Sequence, residues 1–225
     1  DGDGKFMLEV PADLLDSRQS QTFKIEATVT DETNQAVSGR ASVVVHQGLL
    51  YVGVRPRSYV GTEGEEAAFE LIAVDWESVP IANQELSVRI VERKWFSVRE
   101  KAPDGRSNWT WEVEETPVTE GTVSTDSNGK ASFSFTPPNG GVFKAYVSTR
   151  DANGNEVISS TMMWVAGSRY VSWRQQNSNR IDIIKDKPDY QLGDTAEILI
   201  TSPFQGTTEA LITVERANVL TMERV

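Results

Sequence analysis

The sequence predicts an all-β protein made of tandem antiparallel β-sandwiches. Runs of β-branched and apolar residues, such as Ser87 to Val91 and Thr208 to Val214, alternate with a period of two, which is the spacing of a strand with one buried face. Turn-forming clusters separate these runs at short intervals, and no amphipathic helical pattern exceeds about two turns. Two internal repeats also divide the chain into units the size of one sandwich.

The first repeat is a strand entry. Residues 55–71 (RPRSYVGTEGEEAAFEL) and 186–200 (DKPDYQLGDTAEILI) share a proline, a tyrosine, a glycine followed by an acidic residue, and alternating apolar residues. Proline suits the first residue of an edge strand, and the glycine with its acidic neighbour favours a turn. We therefore expect each copy to form a turn followed by a half-buried strand.

The second repeat is longer, and its main part has no gap, whereas its upstream part is followed by a loop of different length. Residues 22–45 align with residues 142–165, and just upstream 1–11 align with 126–137. Each copy contains an Asp-rich turn with Asn or Gly, which is typical of hairpins because Asx side chains bond their own backbone and glycine adopts positive φ. Each copy therefore predicts three strands joined by two turns.

The repeats predict three segments. Residues 1–48 are expected to supply the closing strands of a preceding domain, 49–167 a complete sandwich, and 168–225 a linker with the opening strands of the following domain. About three strands at either end cannot cover their own apolar face. We expect the two ends to complete each other, within one chain or in a swapped dimer, through contacts of Phe23 or Val29 with Ile198 or Leu211. The alternative is that each end folds as a small sheet packed on residues 49–167 or on neighbouring molecules.

Composition excludes several classes of function. The net charge of -11 and a pI near 4.7 argue against nucleic-acid binding, which needs clustered Lys and Arg. No apolar run approaches the roughly 18–20 residues that span a bilayer, so membrane contact is expected only through an anchor outside this segment. The absence of Cys excludes disulfides and thiol nucleophiles. The first ten residues lack the pattern of a signal peptide, which suggests a fragment of a longer protein.

Few residues are candidates for chemistry. His46 is the only histidine, and any Ser-His-Asp triad would have to use it, but its position after Val45 favours an ordinary strand end. The DGDG sequence at 1–4 resembles half of a calcium loop, and Asp31 or Asp151 could bridge a cation between domains. The repeat favours turn chemistry for all of them, so we predict no catalytic residue, no metal site and no cofactor.

Aromatic side chains form two further groups of candidates. Trp95, Trp109 and Trp111 could stack on sugars as exposed aromatics, although core or interdomain packing is their commoner use. The second group is Tyr170, Trp173 and Arg174, which are bulky for a free linker. These three residues are predicted to seat one domain against the next.

Nearly the whole chain resembles the macroglobulin-like domains of bacterial alpha-2-macroglobulin proteins. The resemblance rests on YVGTEGEEAAFELIAVD at 59–75, on 126–157, and above all on 181–216, where DKPDYQLGDTAEILITSPF is followed by ALITVER. It implies fibronectin-like sandwiches within a large protease inhibitor of the periplasm or cell surface. In that family a protease cuts a bait segment and is trapped, often through a Cys-Gln thioester. This segment has no Cys and no convincing bait sequence.

Two functional hypotheses follow. In the first, the chain is a non-catalytic structural segment of such an inhibitor, with proteases and neighbouring macroglobulin-like domains as partners, located outside the cytoplasm. In the second, it is a repeat of a surface adhesin or carbohydrate-binding stalk, which only the architecture, the acidity and the Trp group favour. A bait segment and a thioester motif beyond Val225 would distinguish the first from the second.

Overall fold

The computed structural model describes residues 4–14, 17, 19–101, 107–169, 171, 173, 180–204 and 206–225, without the side chains of 97–101 and 107–111. These residues form strands and no helix, and therefore no helix that could cross a membrane. The strands are β1 (Gln21–Thr30), β2 (Ala36–Val45), β3 (Leu50–Pro56), β4 (Val60–Thr62), β5 (Ala67–Asp75), β6 (Glu85–Lys101), β7 (Ser107–Ser124), β8 (Lys130–Phe135), β9 (Gly141–Arg150), β10 (Glu156–Ala166), β11 (Ile183–Lys185), β12 (Ile198–Ile200), β13 (Leu211–Arg216) and β14 (Asn218–Arg224).

Strands β3 to β10 form a sandwich of two sheets. One sheet has the order β3-β5-β8 and the other β4-β10-β9-β6-β7. Strand β9 shows why they pack together, because Phe143, Ala145 and Val147 are buried and alternate with partly exposed Lys144 and Tyr146. The core between the sheets consists of Leu50, Val52, Phe69, Leu71, Ala73, Leu86, Val88, Ile90, Phe135, Phe143, Ala145, Val147, Val157, Met163 and Val165. The predicted all-β sandwich is confirmed.

The internal repeats are visible in the strand pairing. Hairpin β1–β2 pairs Phe23 with Val43, and β9–β10 pairs Phe143 with Met163 at the aligned positions. The shorter repeat behaves in the same way, since β11–β12 is antiparallel like β3–β5. Both repeats predicted from the sequence therefore form equivalent hairpins.

The prediction of three strands in each copy of the longer repeat is wrong for the first copy. Residues 130–135 form β8 because they pair with β5, but residues 4–14 form no strand. A strand needs a partner for its backbone groups, and no described strand lies beside 4–14. The end 181–225 contains four short strands instead of about three.

The two ends do not complete each other within one chain. Among the described strands, β1 pairs only with β2, and β13 pairs only with β14. Val29 is 71% exposed and Leu211 is 65% exposed, so they are not packed together as the within-chain composite requires. The expectation of a composite inside one chain is wrong, and the swapped dimer of two copies stays a prediction.

Residues 49–167 expressed alone are expected to unfold cooperatively. All residues of the buried core fall between Leu50 and Val165, so the fragment retains the contacts that stabilise the sandwich. Urea unfolding followed by tryptophan fluorescence and by circular dichroism should give coincident transitions. Residues 1–48 contain no Trp, so this control is followed by circular dichroism alone; it should show no transition, because an isolated hairpin is marginal in water. A broad melt of 49–167 would contradict the predicted boundaries.

Candidate functional site at the two ends of the sandwich

The chain enters the sandwich through a contact between its linker and the β9–β10 turn. Asp151, which is 7% exposed, begins this turn and accepts hydrogen bonds at Oδ1 from the N–H groups of Asn153 and Asn155, at 2.9 and 2.8 Å. Its other oxygen accepts the N–H of Leu49 at 2.9 Å. One carboxylate thus closes the turn and holds the residue immediately before β3.

Polar side chains extend this entry contact towards the preceding hairpin. The N–H of Gln47 donates to Ser20 Oγ at 3.0 Å, and Ser20 lies 2.8 Å from the Tyr51 hydroxyl. Tyr51 also shares a hydrogen bond with Nδ1 of His46, whose ring centroid is 5.7 Å from that of Trp76. His46 directly follows β2, and its contacts here are those of a residue in the linker between β2 and β3.

The chain leaves the sandwich through a second carboxylate contact. Glu63 Oε2, in the β4–β5 turn, accepts the N–H of Ser168 at 3.0 Å. The preceding residue, Gly167, lies backbone to backbone with Gly140, because a Cβ built on Gly167 would be 2.7 Å from Gly140 Cα. The exit of β10 is therefore held between two loops of the sandwich.

A backbone bridge joins the sandwich to the following hairpin. Tyr59 accepts the N–H of Trp164 at 2.8 Å and donates its own N–H to the carbonyl of Asp186 at 2.7 Å. The Asp186 carboxylate accepts the Tyr190 hydroxyl at 2.7 Å and the Glu197 N–H at 3.0 Å. The Tyr190 hydrogen bond, above all, lowers the pKa of Asp186. Tyr59 and Tyr190 are the tyrosines of the two copies of the strand-entry pattern. Both therefore lie at the contact between the sandwich and the following hairpin.

Four turns between strands share one Asp arrangement. In each, an Asp carboxylate oxygen accepts the backbone N–H groups two and four residues later, and the residue three positions later has positive φ; the Asp residues are Asp31, Asp75, Asp126 and Asp151. The turns of Asp31 and Asp151 close hairpins, whereas those of Asp75 and Asp126 join strands of different sheets. The N–H four residues later is the main cause that lowers the pKa of Asp31 and of Asp126. Burial raises the pKa of Asp151, but hydrogen bonds led by the Asn155 side chain outweigh it, so this pKa is also lowered.

The lowered pKa values predict a loss of stability in acid. A carboxyl group whose folded pKa lies below its unfolded value adds stability above the unfolded value, here 3.8, and loses it as the pH falls through the folded pKa. We expect the urea midpoint of the chain to be steady above about pH 5 and to fall below about pH 4. In Asp126→Asn the amide oxygen keeps the turn bonds without titrating, so the midpoint should fall less. An equal fall in both proteins would contradict this origin.

The first group of aromatic candidates lies on a hairpin that extends past the rest of its sheet. Strand β9 pairs with β6 only from Ser87 to Arg93, whereas β6 and β7 pair with each other as far as Lys101 and Ser107. Trp95 is half-buried, and the Arg93 guanidinium carbon lies 5.5 Å from its ring centroid. Trp109 and Trp111 pair with Arg99 and Ser97 through the backbone, and their side chains lie outside the described part.

The second group is described only in part. Trp173 is half-buried and donates its N–H to Val171 at 2.9 Å, whereas Tyr170 and Arg174 lie outside the described residues. The predicted seating role of these three residues stays a prediction. The contacts that the structure does place at the exit come from Tyr59 and Glu63, which the sequence reasoning missed. The sequence did contain a signal for close contacts at the two ends of the sandwich. A glycine follows each of the two aligned hairpins within three residues, Gly48 after β2 and Gly167 after β10.

The described residues contain no group of three or more side chains that could hold a metal ion. Asp31 and Asp151, the candidates for cation bridging, instead bind the N–H groups of their own turns. Of the DGDG sequence at 1–4, only Gly4 is described. The residues at the two ends are therefore arranged to hold neighbouring segments of backbone.

Comparison with known proteins identifies the family. A family model described as bacterial macroglobulin domain 6 matches residues 53–167, just over half of the 225 residues. The chain belongs to the bacterial macroglobulin family. The resemblance inferred from the sequence is confirmed, and the matched residues coincide with the macroglobulin sandwich from β3 to β10.

Relatives of this macroglobulin chain are much longer than it is. It is 28% identical over 219 residues to the alpha-2-macroglobulin of Ralstonia nicotianae, covering 97% of this chain and 12% of that protein. It is 25% identical over 183 residues to an alpha-2-macroglobulin homolog of Nostoc sp., covering 81% and 9%. The native conformation of Escherichia coli alpha-2-macroglobulin has the same fold, with a TM-score of 0.52, 19% identity, and coverage of 93% and 14%. The chain thus spans about a tenth of its curated relatives.

Proposed function

We propose that the chain is a non-catalytic structural segment of a bacterial alpha-2-macroglobulin-like, broad-spectrum protease inhibitor that traps proteases after bait cleavage. The observation that carries the proposal is the family match of residues 53–167, on a sandwich whose two ends hydrogen-bond to neighbouring segments. The longer relatives named alpha-2-macroglobulin support the same assignment. The bait and the capture of the protease belong to other parts of the whole protein.

The proposal divides the chain as the repeats suggest. Residues 1–48 close a preceding macroglobulin-like domain, 49–167 form a complete one, and 168–225 link to and open the next. The exposed apolar faces of β1–β2 and β13–β14 then meet the remaining strands of their own domains. The middle sandwich connects these neighbours, and the partners of the chain are the adjacent domains and, through the whole inhibitor, proteases outside the cytoplasm.

A structural role also fits the electrostatics of the carboxyl groups. A general acid or base works best with a pKa near the operating pH. Hydrogen bonds from the turns instead lower the pKa of Asp31, Asp126 and Asp151 below the ordinary value of 3.8. These carboxylates stay ionised and bound to N–H groups at neutral pH, which suits turn formation.

The test uses the whole parent protein. It is incubated with several proteases of unrelated specificity, and the products are followed by gel electrophoresis and analytical ultracentrifugation. We expect one early cut, C-terminal to this segment, together with a shift to a more compact species. Cuts at scattered sites without compaction would overturn the proposal.

The 225-residue chain alone is the matched control for that experiment. It should neither inhibit trypsin-like and subtilisin-like proteases nor hydrolyse their peptide substrates, because the proposed trap lies elsewhere in the protein. Inhibition by the isolated chain at a concentration comparable to that of the protease would show that the segment has an inhibitory surface of its own, contrary to the proposal.

A further inference from the structure

The two carboxylate contacts at the ends of the sandwich have the same construction. At the entry, the N–H held by Asp151 belongs to Leu49, and Gly48 precedes it. At the exit, the N–H held by Glu63 belongs to Ser168, and Gly167 precedes it. In both cases a loop of the sandwich supplies the carboxylate, and the bound N–H lies just outside the strands.

Each glycine lies where a Cβ would collide with the carboxylate and with a second group of the sandwich. A Cβ on Gly48 would lie 3.0 Å from Asp151 Oδ2 and 2.9 Å from Val157 Cγ2. A Cβ on Gly167 would lie 2.8 Å from Glu63 Oε2. The Gly167 Cβ would also lie 2.7 Å from the Gly140 backbone, so glycine allows the linker to approach the sandwich closely at both places. We call Gly48, Leu49 and Asp151 the entry latch, and Gly167, Ser168 and Glu63 the exit latch.

The entry latch is more than a turn. Asp126 begins a turn of the same kind, and its Oδ1 accepts the N–H groups of Asn128 and Lys130. Both of these hydrogen bonds stay inside the turn of Asp126. Asp151 makes the equivalent turn bonds with Oδ1 and reaches Leu49 with Oδ2, a sequence separation of 102 residues. The second oxygen of Asp151 thus holds the linker in addition to accepting the Asn155 side-chain amide at 2.9 Å.

We propose that the two latches fix the preceding hairpin and the following linker at set angles, so that the sandwich is a rigid connection between its neighbours. A carboxylate makes a stronger hydrogen bond to an N–H group than a neutral acceptor does. Near the entry latch, Gln47 also donates to Ser20 and to the Glu156 carbonyl. Near the exit latch, Tyr59 donates to Asp186. The preceding hairpin and the following linker are therefore each attached to the sandwich at more than one point. The proposed rigid connection does not depend on protease capture.

The experiment measures distances between spin labels in the full 225-residue chain. The sequence contains no Cys, so labels attach only at introduced cysteines, placed in pairs at the exposed positions Ser42, Ser134 and Thr195. The distance between labels at 42 and 134 reports the position of the preceding hairpin relative to the sandwich. The distance between labels at 134 and 195 reports the position of the following hairpin. Pulsed electron resonance should give one narrow distance distribution for each pair in the unaltered background.

The entry variant is Asp151→Asn, and its control is Asp126→Asn. The amide oxygen keeps the backbone turn bonds in both variants, but in Asp151→Asn an NH2 group faces the Leu49 N–H and the Asn155 side-chain NH2, donor against donor. We expect this variant to widen the distribution of pair 42 and 134 at least about twofold and to leave pair 134 and 195 unchanged. Asp126→Asn should change neither. An unchanged width in Asp151→Asn, or an equal widening in its control, would overturn the entry latch.

The exit variant is Glu63→Ala, and its control is Glu65→Ala in the same turn. Glu63→Ala should widen only the distribution of pair 134 and 195, whereas Glu65→Ala should widen neither. Hydrogen exchange gives a second readout, with the Leu49 or Ser168 amide exchanging at least about tenfold faster when its own latch is broken. Unchanged protection of the Ser168 amide in Glu63→Ala would overturn the exit latch.

A third pair of variants protects the test against a general loss of folding. Gly48→Ala and Gly167→Ala keep both carboxylates and should reproduce the local widening, while the core amides of β9 stay protected from exchange. If Asp151→Asn also exposed those core amides, the result for Gly48→Ala would decide the entry latch. Narrow distributions in both glycine variants would overturn the proposal.

Discussion

Replacing Phe143 by alanine is expected to lower the free energy of unfolding by about 3–5 kcal/mol. The side chain is fully buried on β9, and its ring centroid lies 5.6 Å from that of Phe135. Removing it leaves a cavity between the two sheets that neighbouring strands cannot fill without breaking their pairing. Urea unfolding of the full chain, with the transition of the sandwich followed by fluorescence, measures the change.

Phe96→Ala is the matched control, because it removes the same side chain from an exposed position. Phe96 is 48% exposed on the part of β6 that extends past β9. We expect this variant to change the free energy of unfolding by less than about 1 kcal/mol. A loss below about 1.5 kcal/mol for Phe143→Ala, or equal losses in the two variants, would mean that the core does not depend on this ring.

Gly129→Ala is expected to destabilise the sandwich by about 2–5 kcal/mol. Gly129 has a φ of 70°, where an L-residue costs about 1–2 kcal/mol. A Cβ would also lie 2.6 Å from the Ala73 carbonyl oxygen and 3.0 Å from the Ile81 nitrogen, and overpacking of this kind adds about 1–3 kcal/mol. Backbone atoms on two sides prevent the turn from relaxing. The measurement is again the free energy of unfolding in urea.

Gly154→Ala separates backbone strain from the collision. Gly154 occupies the equivalent place in the β9–β10 turn with a φ of 82°, but nothing lies within 4 Å of its hypothetical Cβ. This variant should cost only about 1–2 kcal/mol. If Gly154→Ala were as destabilising as Gly129→Ala, the contact with Ala73 would not be the cause of the larger effect.

The repeats show how far sequence alone predicted the fold. The alignment of 22–45 with 142–165 predicted two equivalent hairpins, and β1–β2 and β9–β10 have the same register. Turn chemistry and alternation are local, so they can be read from neighbouring residues. Burial is not local, since Phe143 is fully buried whereas the aligned Phe23 is only half-buried. The same pattern therefore predicts the hairpin but not what covers it.

The latches and the missing strand at 4–14 could not be predicted for the same reason. Both depend on contacts between residues far apart in the chain, such as Leu49 with Asp151 and Ser168 with Glu63. Asp151 was expected to form a turn, which it does, but its second oxygen has no signature in the sequence. The glycines before Leu49 and Ser168 indicated a close approach without indicating its partner.

The parallel pairing of β4 with β10 gives the sandwich a mechanical property. The chain enters beside the β9–β10 turn and leaves at the opposite end of β10, next to Glu63. Tension between the neighbouring hairpins pulls β3, and through it β4, towards one end and β10 towards the other, so the β3–β5 and β4–β10 pairs are both loaded along their strands. The pairs from Val60–Trp164 to Thr62–Ala166 then bear the load together instead of opening one after another. A sandwich loaded in shear in this way resists extension and transmits force from one neighbour to the other.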